Sequence, residues 1–129
     1  MVKKEVIKGR APFSDAVKVG HSVFISGQIP KDPIKGGWAD NIRDQTTQCL
    51  ENIKNILQKA GGNVSDIVKI TIFLTNIENY GGMNEAFIDF FKKNKIEEDF
   101  PARTAIQAGP LFYREWLIEI EAVAIIQEI

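Results

Sequence analysis

The stretch from Asp40 to Gly62 constrains this chain more than any other. Ile42, Cys49, Leu50, Ile53, Ile56, Leu57 and Ala60 recur at spacings of three, four and seven. They therefore line one side of a helix with a period of about 3.6 residues. Asp40 or Asn41 stands where a side-chain oxygen can cap the first free N–H groups. Gly61 and Gly62 stand where the chain must leave the helix, and glycine enters the left-handed region without a Cβ clash. A helix with one apolar stripe needs a second apolar surface. The next segment, "SDIVKITIFLTN", supplies it: Val68, Ile70, Ile72 and Leu74 alternate with Lys69, Thr71, Phe73 and Thr75. That alternation is the period of a strand with one face in the core.

The remaining elements follow the same logic. "KKEVIKG" reads as a short strand, and "AVKVGHSVFISG" as a hairpin turning at Gly20-His21. "QIPKDPIKGGWAD" holds too many Pro, Gly and Asp residues for regular structure and is a loop. A second helix begins near Asn79 and carries Met83, Phe87, Phe90 and Phe91 on one face. "KNKIEEDF" is a polar connection, and "ARTAIQA" and "LIEIEAVAII" read as the last two strands. Three strands, a helix, a strand, a helix and two strands make an α+β chain, with two helices packed on one face of a sheet. At 129 residues the length fits a single domain over 1–129. The uncovered sheet face also holds apolar residues, either Val123 and Ile125 or Ile118 and Ile120 according to register. A second apolar face of this size calls for another copy of the chain, so a homo-oligomer is expected.

Composition narrows the chemistry. The net charge is −1, so no basic surface points to nucleic acid. One cysteine and one histidine leave neither a disulfide nor a cysteine or histidine metal cluster. Cys49 falls on the helix stripe and reads as core; His21 reads as a turn residue. The start "MVKKEVIKG" is too charged for a secretory leader, and no apolar run approaches the ~20 residues of a membrane helix. The expectation is a cytoplasmic protein without membrane contact.

Against this plain background, "FPARTAI" stands out: it places a guanidinium, Arg103, in a strand of small and β-branched residues. Arg103, Ala105 and Gln107 share one strand face, and small Ala105 leaves room beside the arginine. On the last strand Glu119 and Glu121 point the same way. An arginine can clamp a carboxylate with two parallel hydrogen bonds, and a nearby glutamate can move a proton or hold a water. Spacing alone favours a plainer reading, a cross-strand ion pair on a wetted face. "SGQIP", at Ser26 to Pro30, could offer backbone N–H groups to an anion, or simply end a strand.

The ordered set "SGQIP", "AGG…DIVKITIFL" and "FPART…IEIEA" resembles the Rid family, the YjgF-like reactive-intermediate deaminases, from about Ala11 to the C-terminus. The resemblance implies a chorismate-mutase-like α+β fold with a mixed sheet. It implies a homotrimer whose sheets line a barrel, with ligand clefts between subunits. It further implies hydrolysis of enamine and imine intermediates, such as 2-aminoacrylate or 2-iminobutyrate, to 2-keto acids and ammonia, with no cofactor or metal. By this resemblance Arg103 binds the substrate carboxylate and Glu119 positions water. Gly27 and Ser26 line the cleft, Asn84 lies near it, and the Ala105 N–H faces the ligand. The chain departs from the family pattern at Phe13, where tyrosine is usual, and at Ala105, where cysteine is usual. The segment "GPLFYREW" also differs, and is expected to bring Phe112, Tyr113 and Trp116 near the cleft.

Other readings use the same residues differently. A trimeric binding protein would sense a 2-keto acid or amino acid through Arg103 without turnover. A ribonuclease or translation inhibitor lacks support from the charge pattern and the single histidine. Chorismate mutase proper rests on fold analogy alone.

Overall fold

The computed structural model describes residues 2–127. Its elements are β1 (Lys4–Ile7), β2 (Ala16–Val19), β3 (Ser22–Gln28), α1 (Ile42–Lys59), β4 (Ile67–Leu74), α2 (Tyr80–Lys93), β5 (Ala102–Gln107) and β6 (Ile118–Ile125). The order is the one the sequence predicts. Asn41 caps α1 by accepting from the Asp44 N–H. Gly61 at φ +91° ends it, with the Gly62 N–H returning to the Leu57 carbonyl at 2.8 Å. Helix α2 is entered from a single 3-10 turn, which Asn76 caps by accepting from the Glu78 N–H; Asn79 itself makes no side-chain cap bond.

The six strands form one mixed sheet in the order β1-β2-β3-β6-β4-β5. Strands β4 and β5 run parallel, joined through α2; the other pairs are antiparallel. The last strand thus inserts between β3 and β4. Both helices lie on one face. Leu50, Ile53 and Leu57 of α1 and Met83, Phe87 and Phe91 of α2 are buried against Val23, Ile70, Ile72, Ile118 and Ile120. Each such side chain contributes about 1.5–3 kcal/mol by leaving water, so this one layer holds the fold.

Register decides which of two alternatives occupies the open face. Ile118, Ile120, Ala122 and Ala124 are buried under the helices, which leaves Val123 and Ile125 on the other side. There they join Phe24 and Val17, which pair in the same row as Val123. One expectation fails at the start of β4. Val68 does not share the core face with Ile70; a bulge between Ile67 and Lys69 puts Ile67 in the core and leaves Val68 39% exposed.

Candidate functional site

Arg103 sits on β5, an edge strand. Its register partner is Ile70, and those of Ala105 and Gln107 are Ile72 and Leu74. Arg103 therefore points to the helix side of the sheet. Helix α2 presents Tyr80, Asn84 and Phe87 to it, spaced by four and three and so on one helical face. Arg103 Nη1 donates to Asn84 Oδ1 at 2.8 Å and Nη2 donates to Tyr80 Oη at 2.7 Å. The guanidinium carbon lies 4.7 Å from the Phe87 ring centre and 5.6 Å from that of Tyr80. Both oxygen partners are neutral, so they orient the fork without cancelling its charge. A weak third contact runs from Nη1 to Met83 Sδ at 4.0 Å. A guanidinium has five N–H donors; with three so directed among the described residues, the Nε–H and one Nη2–H are left.

The backbone adds a donor. The Ala108 N–H bonds to the Leu74 carbonyl at 2.7 Å. Since strand backbone groups alternate sides, the even-numbered residues of β5 face β4. The N–H of Ala105 then points out from the sheet edge.

A second cluster forms around Glu119. On β6 it pairs with Phe73, which places it on the open face with Glu121. Its side chain arches over Gly27. A Cβ built on Gly27 would fall 2.9 Å from Glu119 Cδ and 3.2 Å from Cγ, with Oε2 nearer still. Glycine is what allows this approach. Gly27 and Ser26 belong to β3 itself, at a register shift between Ile25 and Gln28, and not to a turn beyond it. Ser26 Oγ donates to the Ser14 carbonyl at 2.6 Å, and its N–H to the Asp15 carbonyl at 2.9 Å. These bonds hold the loop that carries Phe13, which is 60% exposed. Partial burial, and then the Glu121 charge, raise the Glu119 carboxyl above its ordinary value. A carboxylate held in this way is a stronger base.

The ion pair favoured by spacing alone does not form. Strand β4 lies between β5 and β6, and Arg103 and Glu119 occupy opposite faces of one sheet. The residues singled out from sequence fall instead into two clusters on opposite faces of the sheet. Arg103, Asn84 and Ala105 make one; Glu119, Gly27, Ser26 and the Phe13 loop make the other. The sequence reading missed Tyr80 and took Phe87 for core alone. The signal was there, in the shared helical face of Tyr80, Asn84 and Phe87.

The aromatic segment before β6 packs on the loop that leads into α1. Tyr113 and Trp116 pack on Trp38, with ring centres 5.2 and 5.4 Å away, and Phe112 lies 4.9 Å from Tyr113. Buried Gln45 of α1 ties this segment down through the Ala39 and Glu115 carbonyls and the Leu117 N–H. The rings meet the loop before α1, while the aromatic neighbours of Arg103 are Phe87 and Tyr80. Among the described residues, no group of three or more His, Cys, Asp or Glu side chains is placed to hold a metal ion. No helix among them is long and apolar enough to cross a membrane.

Comparison with known proteins places the chain among close relatives. Residues 3–126 match the family model described as Endoribonuclease L-PSP. A RutC family protein of Pyrococcus horikoshii is 42% identical over 128 residues, covering 94% of this chain and 97% of the relative. A protein of Salmonella typhimurium named 2-iminobutanoate/2-iminopropanoate deaminase is 38% identical over 114 residues, covering 88% of this chain and 87% of its own. The crystal structure of E. coli TdcF with bound serine superposes with a TM-score of 0.89 at 33% identity, over 96% of this chain and 100% of that one.

Proposed function

The chain belongs to the Endoribonuclease L-PSP family, that of the YjgF and Rid proteins, and from this premise we propose that it hydrolyses 2-imino acids and their enamine tautomers to 2-keto acids and ammonia. The observation that carries the reading is the Arg103 fork: a guanidinium held by neutral partners, with two N–H groups left for a carboxylate. The relative named as a 2-iminobutanoate/2-iminopropanoate deaminase supports the substrate class.

The chemistry needs little else. In a protonated imine the carbon is already electrophilic. Arg103 holds the carboxylate, with the Ala105 N–H beside it. Glu119 takes a proton as water oxygen bonds to that carbon. Glu119 then returns that proton to the amine nitrogen of the carbinolamine, the C–N bond breaks as the hydroxyl gives up its proton to Glu119 and becomes the keto-acid carbonyl, and ammonia leaves. Since Arg103 and Glu119 lie on opposite sheet faces of one chain, one substrate can meet both only if two copies contribute. The apolar open face with Phe24, Val123 and Ile125 supports such packing, and a homotrimer is the proposed assembly. The location proposed is the cytoplasm.

The test generates 2-iminobutyrate in situ and follows keto-acid formation against a trapping nucleophile. Catalytic amounts of the protein accelerate it. Arg103→Ala loses about 30- to 5,000-fold in kcat/KM, the equivalent of roughly 2–5 kcal/mol for truncating one partner of a buried charge pair. Saturable binding of 2-ketobutyrate with no turnover would favour the binding-protein reading, which the missing hydroxyl at Phe13 supports. The family's description names an endoribonuclease, yet a chain with one histidine and a net charge of −1 has neither a histidine pair nor a basic stripe for cutting RNA.

A further inference from the structure

Arg103 is oriented by a residue that the sequence reading did not single out. Tyr80 opens α2, and its Oη accepts from Arg103 Nη2 at 2.7 Å. Asn84, one turn on, holds Nη1 at 2.8 Å. The two contacts grip both terminal nitrogens of a planar group and fix its rotation. Phe87, with its ring centre 4.7 Å from the guanidinium carbon, fixes its height above the helix. The donors left over are the Nε–H and one Nη2–H. Without the Tyr80 oxygen, Nη2 has no other partner among the described residues, and the fork is held only through Nη1, by Asn84 and Met83, and by the Phe87 ring.

We propose that Tyr80 is a positioning residue for substrate binding, setting the Arg103 fork so that a planar carboxylate can dock on its Nε–Nη2 side. The inference rests on the reading of Arg103 as the carboxylate anchor. It predicts a preference for 2-imino and 2-keto acids, whose two coplanar oxygens match two donors, over neutral analogues such as the 2-keto amide. It also predicts that Tyr80 acts only through Arg103.

A double-mutant cycle decides the matter, with 2-ketobutyrate as the probe by calorimetry and imine turnover measured in parallel. Tyr80→Phe keeps the ring and removes the oxygen. It should raise Kd and KM by about 10-fold, in line with loss of a hydrogen bond to a charged group, while kcat stays within about twofold. In an Arg103→Lys background the same change should have no further effect. Unchanged affinity in Tyr80→Phe alone overturns the proposal. So does an equal loss in both backgrounds, which marks a merely structural tyrosine. If the wild type neither binds 2-ketobutyrate nor turns over the imine, the reading of Arg103 itself has failed, and the proposal about Tyr80 falls with it.

Discussion

Gly27→Ala isolates the position of the Glu119 carboxylate from its presence. The new Cβ would stand 2.9 Å from Glu119 Cδ. Carbon–carbon contact begins near about 3.5 Å, so the carboxyl group must retreat by at least about 0.6 Å. It can do so, because it is the free end of a flexible side chain. The backbone at Gly27 is not in the left-handed region, so alanine itself is accepted there. Removing a strand glycine gains about 0.5–1 kcal/mol, and displacing Glu119 offsets part of this. Stability should therefore change by less than about 1 kcal/mol. Turnover is another matter. Misplacing a catalytic group by about 1 Å can lower the rate by about 100-fold, or roughly 2.7 kcal/mol of barrier. The assay compares kcat for imine hydrolysis with the urea midpoint of the same preparations. Wild-type turnover in Gly27→Ala would refute the positional role of Glu119. A loss of several kcal/mol of stability would refute the premise that its carboxyl is free to move. In a Glu119→Ala background the alanine at position 27 should have no further effect on rate.

Two other outcomes follow from the same geometry. Glu119 has its carboxyl raised above an ordinary 4.5 by burial and then by Glu121, so between its unfolded and folded values the native state holds the extra proton. This carboxyl's contribution to stability thus falls as pH rises through that window, so in urea unfolding the wild type should lose stability relative to Glu119→Gln as pH rises from acid to neutral. Gln45 is buried and satisfies the Ala39 and Glu115 carbonyls and the Leu117 N–H; Gln45→Leu removes all three bonds and should cost roughly 1.5–4.5 kcal/mol by urea denaturation, at about 0.5–1.5 for each.

The local elements were legible because their causes are local. The α1 stripe, the Asn41 cap and the Gly61 exit depend on residues within a turn or two of each other, as does the Met83, Phe87, Phe90 and Phe91 face of α2. The resemblance of "SGQIP", "FPART" and "IEIEA" to the Rid family carried the fold further than periodicity could. Which side of the sheet each residue takes was beyond both. A strand's side chains alternate, so one inserted residue or one change of partner reverses the answer. The bulge at Val68 moved that residue out of the core. The insertion of β6 beside β4 separated Glu119 from β5. The parallel pairing of β4 with β5 turned Arg103 toward α2 and its Tyr80. The sequence alone determined that this chain holds an arginine and a glutamate on strands of a two-layer fold. Only the tertiary structure decided that they face opposite ways, because strand register is a long-range choice set by how the whole apolar layer packs.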